Sequence, residues 1–254
     1  MKYTGFDLSG KTIIVTGAGT GIGQAMAVGL AQAGADLILI GRRPDPLKEV
    51  EQEVLAQGVK ALVLPGDISS LGFQDYAVSE TIKAFGKIDV LINNAAVLFK
   101  GHIVETTEEV WDTTIDINLK GNFFMALAVG KEMIKRNKGK IINILSNCSF
   151  VAEHGIGAYC VSKGGLLLVT RCLATEWGPY GIQVNGIGPA FIRTPMNDPV
   201  LADPSFVEWS TNRIPLHRMG QPEETVGAAI YLSSDSASFV NGAVLMIDGG
   251  FTAC

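Results

Sequence analysis

Seven short β-rich runs, most of them nearly all apolar, alternate with longer segments of helical character along the entire chain. The runs are Thr12–Val15, Leu37–Ile40, Ala61–Leu64, Val90–Ile92, Lys140–Leu145, Gln183–Ile187 and Ala243–Ile247. A strand with one wet face alternates apolar and polar residues, whereas a continuous apolar run needs cover on both faces. The intervening segments Gln24–Ala33, Pro46–Gln57, Phe73–Phe85, Trp111–Arg136, Ala158–Tyr180 and Glu223–Leu232 can supply that cover. Strands joined through helices lie parallel and are connected by right-handed crossovers. The pattern predicts an α/β fold: a doubly wound, seven-stranded parallel sheet flanked by helices, in a single domain over residues 1–254.

One stretch breaks the rhythm. Residues 189–222 are rich in Pro, Asp and Ser, with a short helix expected around Phe206–Asn212. In open α/β sheets ligands bind beyond the carboxyl ends of the strands. A long insertion after a strand is therefore expected to act as a substrate lid.

Directly after the first run comes Thr16-Gly-Ala-Gly-Thr-Gly-Ile-Gly23, followed by a helix. Gly17, Gly21 and Gly23 suit a sharp strand-to-helix turn that brings backbone N–H groups close to a pyrophosphate. Thr20 and Ile22 fall within the same turn. Chains that bind NAD carry an acid at the end of the second strand, placed for the adenosine ribose. Here that end reads Ile40-Gly41-Arg42-Arg43. Guanidinium groups suit a phosphate, so Arg42 and Arg43 predict NADP(H), with NAD(H) as the alternative.

Tyr159 and Lys163 are one helical turn apart, and Ser146 precedes Tyr159 by thirteen residues. A free phenol has a pKa of about 10 and is a poor acid or base near neutrality. An ammonium beside it favours the phenolate, and a serine hydroxyl can hold an oxygen whose charge changes. An incidental Tyr/Lys pair on a surface helix is the competing explanation.

With the glycine turn and these three residues, the chain resembles the short-chain dehydrogenase/reductase family over essentially its whole length. The resemblance implies a Rossmann fold and NAD(P)-dependent hydride transfer between a secondary alcohol and a ketone. It implies a tetrad of Asn118, Ser146, Tyr159 and Lys163, with Tyr159 exchanging the proton and Asn118 positioning a water toward Lys163. Asp67 and Ile68 match the pair that touches the adenine. Asn93–Ala96 matches the cleft-lining segment after the fourth strand, through Asn94 and Ala95. Pro189, Ile192 and Thr194 match the nicotinamide segment, and Tyr159 and Lys163 also face the cofactor. Ala96 and Ala190 replace family glycines close to the cofactor. Expected substrate contacts are Asn147, His154 and Phe191, with Leu98, Ser149 and Trp209 nearby. Arg193 and Arg213 either meet a substrate carboxylate or pair with Asp198, Asp203 or Glu208.

The stretches Gly23–Asp36, Lys140–Phe150 and Arg213–Glu224 are most similar to members acting on sugar acids, the gluconate 5-dehydrogenases and keto-deoxy-gluconate dehydrogenases. A 3-oxoacyl-carrier-protein reductase or general carbonyl reductase shares fold and tetrad, and a non-catalytic NADP(H)-binding regulator is the alternative of another class. An acidic carrier protein needs a basic docking patch, and none stands out in a chain of net charge −5. That charge also argues against nucleic acid and anionic membranes as partners. No run approaches the length of a membrane span, and the first residues carry no apolar leader core, so a cytoplasmic place is expected. Cys148, Cys160, Cys172 and Cys254 form no CxxC pair, and His102, His154 and His217 are scattered. Neither a metal site nor a disulfide framework is expected. The partner is then a small-molecule substrate, and the resemblance implies a homotetramer.

Overall fold

The structure, a computed structural model, describes residues 5–70 and 72–253. Cys254 lies outside the described residues. All seven expected strands form: β1 (Thr12–Thr16), β2 (Asp36–Gly41), β3 (Ala61–Pro65), β4 (Val90–Asn93), β5 (Gly139–Ile144), β6 (Ile182–Pro189) and β7 (Val244–Ile247). They make one parallel sheet in the order β3-β2-β1-β4-β5-β6-β7. The chain winds outward from β1 to β3, then returns to place β4 on the other side of β1. Successive crossovers leave in opposite directions there, which opens a crevice beyond the carboxyl ends of β1 and β4.

The pleat explains why the runs are apolar without alternation. Ile13 and Val15 point into one core with Leu37, Leu39 and Val90, while Ile14 points into a second core with Ile38, Ile40 and Leu91. Helices α1 (Gly21–Gln32), α2 (Pro44–Leu55) and α9 (Val226–Ser233) close the first core. Helices α3 (Phe73–Phe85), α5 (Asn122–Arg136) and α6 (Gly157–Trp177) close the second.

The expected helix Trp111–Arg136 is in fact three pieces. Helix α4 (Glu108–Ile115) starts at Thr107, whose Oγ1 accepts the Val110 N–H at 3.2 Å. It passes into a π-helical segment, Asp116–Gly121, and then into α5. Tight packing accounts for the change of pitch. Gly121 lies so close to the loop after β3 that a Cβ there would meet the Ile68 carbonyl at 2.9 Å. The wider turn also brings Asn118 into the interior, and such π segments concentrate at functional sites.

Within residues 189–222, the short helix forms as α8 (Pro204–Asn212), preceded by α7 (Asp198–Leu201). Asp203 caps α8 by accepting the Ser205 N–H, with Pro204 in its first turn. At the opposite, amino end of the strands, Asp89 accepts the Thr12 N–H, an Arg136 N–H and a Lys87 ammonium proton at 3.0, 2.9 and 2.7 Å. Burial alone would raise this carboxyl, but the bonds from Lys87, Arg136 and Thr12 outweigh it and hold it below the ordinary range. This end carries scaffold; the carboxyl end carries the site.

Candidate active site

One cleft runs across the carboxyl ends of the strands, with two lobes that share Gly17, Thr20, Ala95 and Ala96 as walls. The larger lobe, a cavity of about 290 Å³, contains Ser146, Tyr159 and Lys163. The smaller, about 150 Å³, contains Arg42, Arg43, Asp67 and Ile68.

The glycine turn sits between them. Gly17 and Gly21 have φ of +64° and +58°, a region that side chains disfavour. A Cβ on Gly17 would lie 2.9 Å from Asn94 Nδ2 and 3.0 Å from Ala95 Cα. One on Gly21 would lie 3.2 Å from Thr194 Cγ2, so the turn touches the segment after β6. Gly23 lines neither lobe; a side chain there would strike the Gly17 carbonyl, so its part is to close the turn. A side-chain clasp fixes the turn from behind. Asn94 donates to the carbonyls of Thr16 and Gly17 at 3.0 and 3.2 Å. Thr16 Oγ1 in return accepts the N–H groups of Asn94 and Ala95 at 2.9 and 3.0 Å.

Arg42 and Arg43 are exposed at the rim of the smaller lobe, and neither has an ion pair among the described residues. At Gly41, the end of β2, the lobe wall carries no acid. The lobe thus offers two unneutralised guanidinium groups and no fixed carboxylate beside them except Asp67. That carboxylate is turned to its own loop, accepting from Ser69 N and Oγ at 2.9 and 2.7 Å.

At the other end, α6 begins at Gly157 and carries Tyr159 and Lys163 on its first turns. Lys163 is 2 % exposed and donates to the Ile144 carbonyl at 2.6 Å, with its nitrogen 5.6 Å from the centre of the Tyr159 ring. Burial pushes the Lys163 ammonium down to about 8. Burial also pushes the Tyr159 phenol above its ordinary value, with a thiolate at Cys148 acting in the same direction and the Ser146 hydroxyl acting against it. Burial outweighs any lowering that the Lys163 ammonium brings. Cys148 is itself pushed up, first by its neighbour Cys160 and then by burial, so it holds its proton near pH 7.

Ser146 caps a short 3₁₀ turn, Asn147–Ser149. Its Oγ accepts the Cys148 N–H at 3.1 Å and donates to Asn147 Oδ1 at 2.9 Å. Asn147, expected to touch substrate, therefore also competes for the Ser146 proton. Asn118 is fully buried behind the cleft, not on its wall. Its amide donates to the Val97 carbonyl and Ser162 Oγ at 2.8 and 3.1 Å and accepts the Val97 N–H at 2.8 Å. Both amide protons are committed inside the protein.

His154 and Phe191 line the larger lobe, as do Leu98, Trp209, Pro189, Ile192 and Thr194. His154 is exposed and meets the His102 ring edge-on at 5.0 Å. Phe191 packs edge-on against Phe206, Trp209 and Phe251 at 6.0, 5.9 and 5.6 Å, so packing and lining coincide. Ser149 faces away, donating to the Lys163 carbonyl at 3.0 Å. Arg213 pairs with none of Asp198, Asp203 or Glu208; its partner is Glu153, at 3.1 Å. Glu153, Lys100, Cys148 and Phe206 are wall residues that motif spacing did not single out. Glu153 sits in the same loop as His154, between Ser146 and Tyr159, which was the available signal. Lys100 lies just past the motif that follows β4. Among the described residues there is no cluster suited to a metal ion and no helix long and apolar enough to cross a membrane.

The sequence matches the family described as Enoyl-(Acyl carrier protein) reductase over residues 17–252. It is 41 % identical to gluconate 5-dehydrogenase of Gluconobacter oxydans, across 97 % of this chain and 96 % of that one. The chain belongs to the short-chain dehydrogenase/reductase family. It is an oxidoreductase acting on CH–OH groups. A second relative, 2-dehydro-3-deoxy-D-gluconate 5-dehydrogenase of Dickeya dadantii, is 37 % identical over 98 % of each chain. The crystal structure of a gluconate 5-dehydrogenase from Burkholderia cenocepacia in complex with NADP and tartrate superposes with a TM-score of 0.95. It is 35 % identical and covers 99 % of this chain and 98 % of that one.

Proposed function

We propose that this enzyme interconverts a ketone and a secondary alcohol on a sugar acid, using NADP(H), as a gluconate 5-dehydrogenase-like member of its family. The observation that carries the reading is the single cleft, with Ser146, Tyr159 and Lys163 at one end and, at the other, two arginines with no ion pair among the described residues. The glycine turn between them leaves room only for backbone, which fits a pyrophosphate. Relatives that act on gluconate and its keto derivatives, one of them seen with NADP, support both substrate class and cofactor. Lys100 on the cavity wall supplies a cation suited to a sugar-acid carboxylate.

Bound nicotinamide supplies or accepts the hydride. In reduction Tyr159 Oη gives its proton to the carbonyl oxygen, and a phenol held above its ordinary pKa keeps that proton over the whole neutral range. In oxidation the same oxygen must accept a proton. Positive charge close by is then essential, and Lys163 supplies it 5.6 Å from the Tyr159 ring centre. Ser146 Oγ holds the reacting oxygen once its proton turns from Asn147. Asn118 anchors the backbone at Val97 and the Ser162 hydroxyl beneath Tyr159, and through these it would steady the proton path. Thr20, Ile22, Asn94 and Ala95 would line the cofactor together with Gly17, Gly21, Pro189, Ile192 and Thr194, while Gly23 shapes the turn. Arg42 and Arg43 would take the 2′-phosphate, and Asp67 with Ile68 the adenine. Residues 189–222 form the lid of the one domain. A homotetramer in the cytoplasm completes the reading.

The test is NADPH oxidation with 5-keto-D-gluconate and NADP⁺ reduction with gluconate, beside polyols, simple ketones and a 3-oxoacyl thioester. Turnover of the sugar acids above the rest is the expected result. Turnover of the thioester alone would refute the proposal.

A further inference from the structure

Glu153 lines the catalytic lobe, and its side chain is only 9 % exposed. Its two oxygens have different surroundings. Oε2 accepts an N–H from Arg213 at 3.1 Å. Oε1 is closed off from bulk solvent, and no described residue donates to it. Arg213 is held in place by stacking, its guanidinium carbon 4.7 Å from the Trp209 ring centre and 4.8 Å from that of Phe251. The bridge therefore ties the end of α8 to the loop before α6 and fixes which oxygen stays unpaired. Buried polar atoms normally find a partner, and an unpartnered carboxylate oxygen is costly to hold. A carboxylate is an acceptor only, so the missing partner must bring an O–H or N–H. A ligand carboxylate at this place would instead be repelled.

We infer that Glu153 is a specificity-determining residue whose carboxylate turns Oε1 toward the lobe to accept a hydrogen bond from a hydroxyl on the substrate chain. The site thereby favours polyhydroxylated ketones over hydroxyl-free ketones of equal length, with any substrate carboxylate directed away from Glu153. Arg213 is the positioning residue that occupies Oε2 and leaves Oε1 to the ligand. Glu153 acts on the chain of the substrate and not on the reacting carbonyl. The inference rests on the proposed function only in taking a hydroxylated ketone as the substrate. Built sites that bond a hydroxyl reject the analogue lacking it far better than apolar pockets reject an added one.

The decisive pair is 5-keto-D-gluconate and 5-oxohexanoate, which share length, ketone and carboxylate but differ in hydroxyls. Both are assayed with NADPH on the wild type, Glu153→Met and Glu153→Gln. Glu153→Met is expected to lose about 10- to 100-fold in kcat/KM on the keto sugar acid, the span of one hydrogen bond to a charged group. Its kcat/KM on 5-oxohexanoate and its NADPH affinity stay level. Glu153→Gln, close in shape, keeps the fold if Glu153→Met does not, and shows the same selectivity with a smaller loss. Equal loss on both ketones in the variant that folds, or no loss on 5-ketogluconate, overturns the inference. A wild type inactive on 5-ketogluconate refutes only the proposed sugar-acid substrate. D-fructose and 2-hexanone, a neutral pair with the same contrast, then decide the role of Glu153. Failure of the wild type on every hydroxylated ketone overturns this role as well.

Discussion

The two ends of the cleft are built on opposite principles. Arg42 and Arg43 stand exposed at a rim with no ion pair among the described residues, whereas Tyr159 and Lys163 are sunk among β5, α6 and the Ser146 loop. At the rim, a side chain keeps the properties it has in water, and residue type alone predicts what it can bind. In the interior, desolvation overrides type: it pushes a phenol up and an ammonium down against the shifts their pairing alone would bring. On the proposed function, the exposed end would select a ligand by charge and the buried end would prepare chemistry by environment.

Breaking the buried end should cost most. Tyr159→Phe is expected to lower kcat about 10²- to 10⁴-fold, the usual worth of a placed general acid. NADPH affinity, read by fluorescence titration, should change little. A variant that retains most of its kcat would show that another group moves the proton.

The pH profile sharpens the same contrast. Lys163, at about 8 in the fold against 10.5 for a free lysine, is charged below about pH 8 and neutral above it. Giving up its proton leaves Tyr159 a phenolate that needs the Lys163 charge. Reduction at saturating NADPH should therefore decline about tenfold per unit as pH rises beyond 8, while Tyr159 remains protonated. Between about 8 and 10.5 the unfolded chain binds the extra proton, so this group makes the fold more stable as pH rises there. A flat rate profile from pH 7 to 10 would mean the charge on Lys163 is irrelevant to turnover.

At the exposed end the effect is smaller and confined to one cofactor. Arg42→Ala should raise the KM for NADPH about tenfold, as expected for one charge-assisted contact, and leave that for NADH unchanged. Loss of affinity for both cofactors would point to damage in the turn. The smallest functional effect belongs to Asp89, at the far end of the strands. Asp89→Asn should cost about 1–3 kcal/mol of stability in a denaturant titration, with kcat intact. The Asp89 contribution is present above the ordinary carboxylate pKa and fades as pH falls through its lowered folded value.

The same division decides what could be read from residues alone. The inner strands were legible because they are covered on both faces, and Ile13, Ile14 and Val15 leave no polar position to confuse the pattern. The rim could be read as exposed charge because Arg42 and Arg43 keep the properties they have in water. The break in the helix at Asp116–Gly121 was not, since it depends on Gly121 meeting Ile68, a contact fifty-three positions away in sequence. Asn118 was found by its motif, but not its commitment to Val97 and Ser162. The Glu153–Arg213 pair was missed for the same reason: sixty residues separate the partners, and charges nearer to Arg213 in sequence were the obvious choices.

Thr16 gives the cleft one more property. Its hydroxyl receives two N–H groups from the start of the β4 loop and reaches toward the Ile92 carbonyl at 3.4 Å, while Asn94 returns two bonds to the β1 end. The mouth of the crevice is thus ordered when the chain folds, and the entropy of shaping it falls on folding instead of on ligand capture. An incoming dinucleotide meets a finished edge, so tight binding there requires little rearrangement of the main chain.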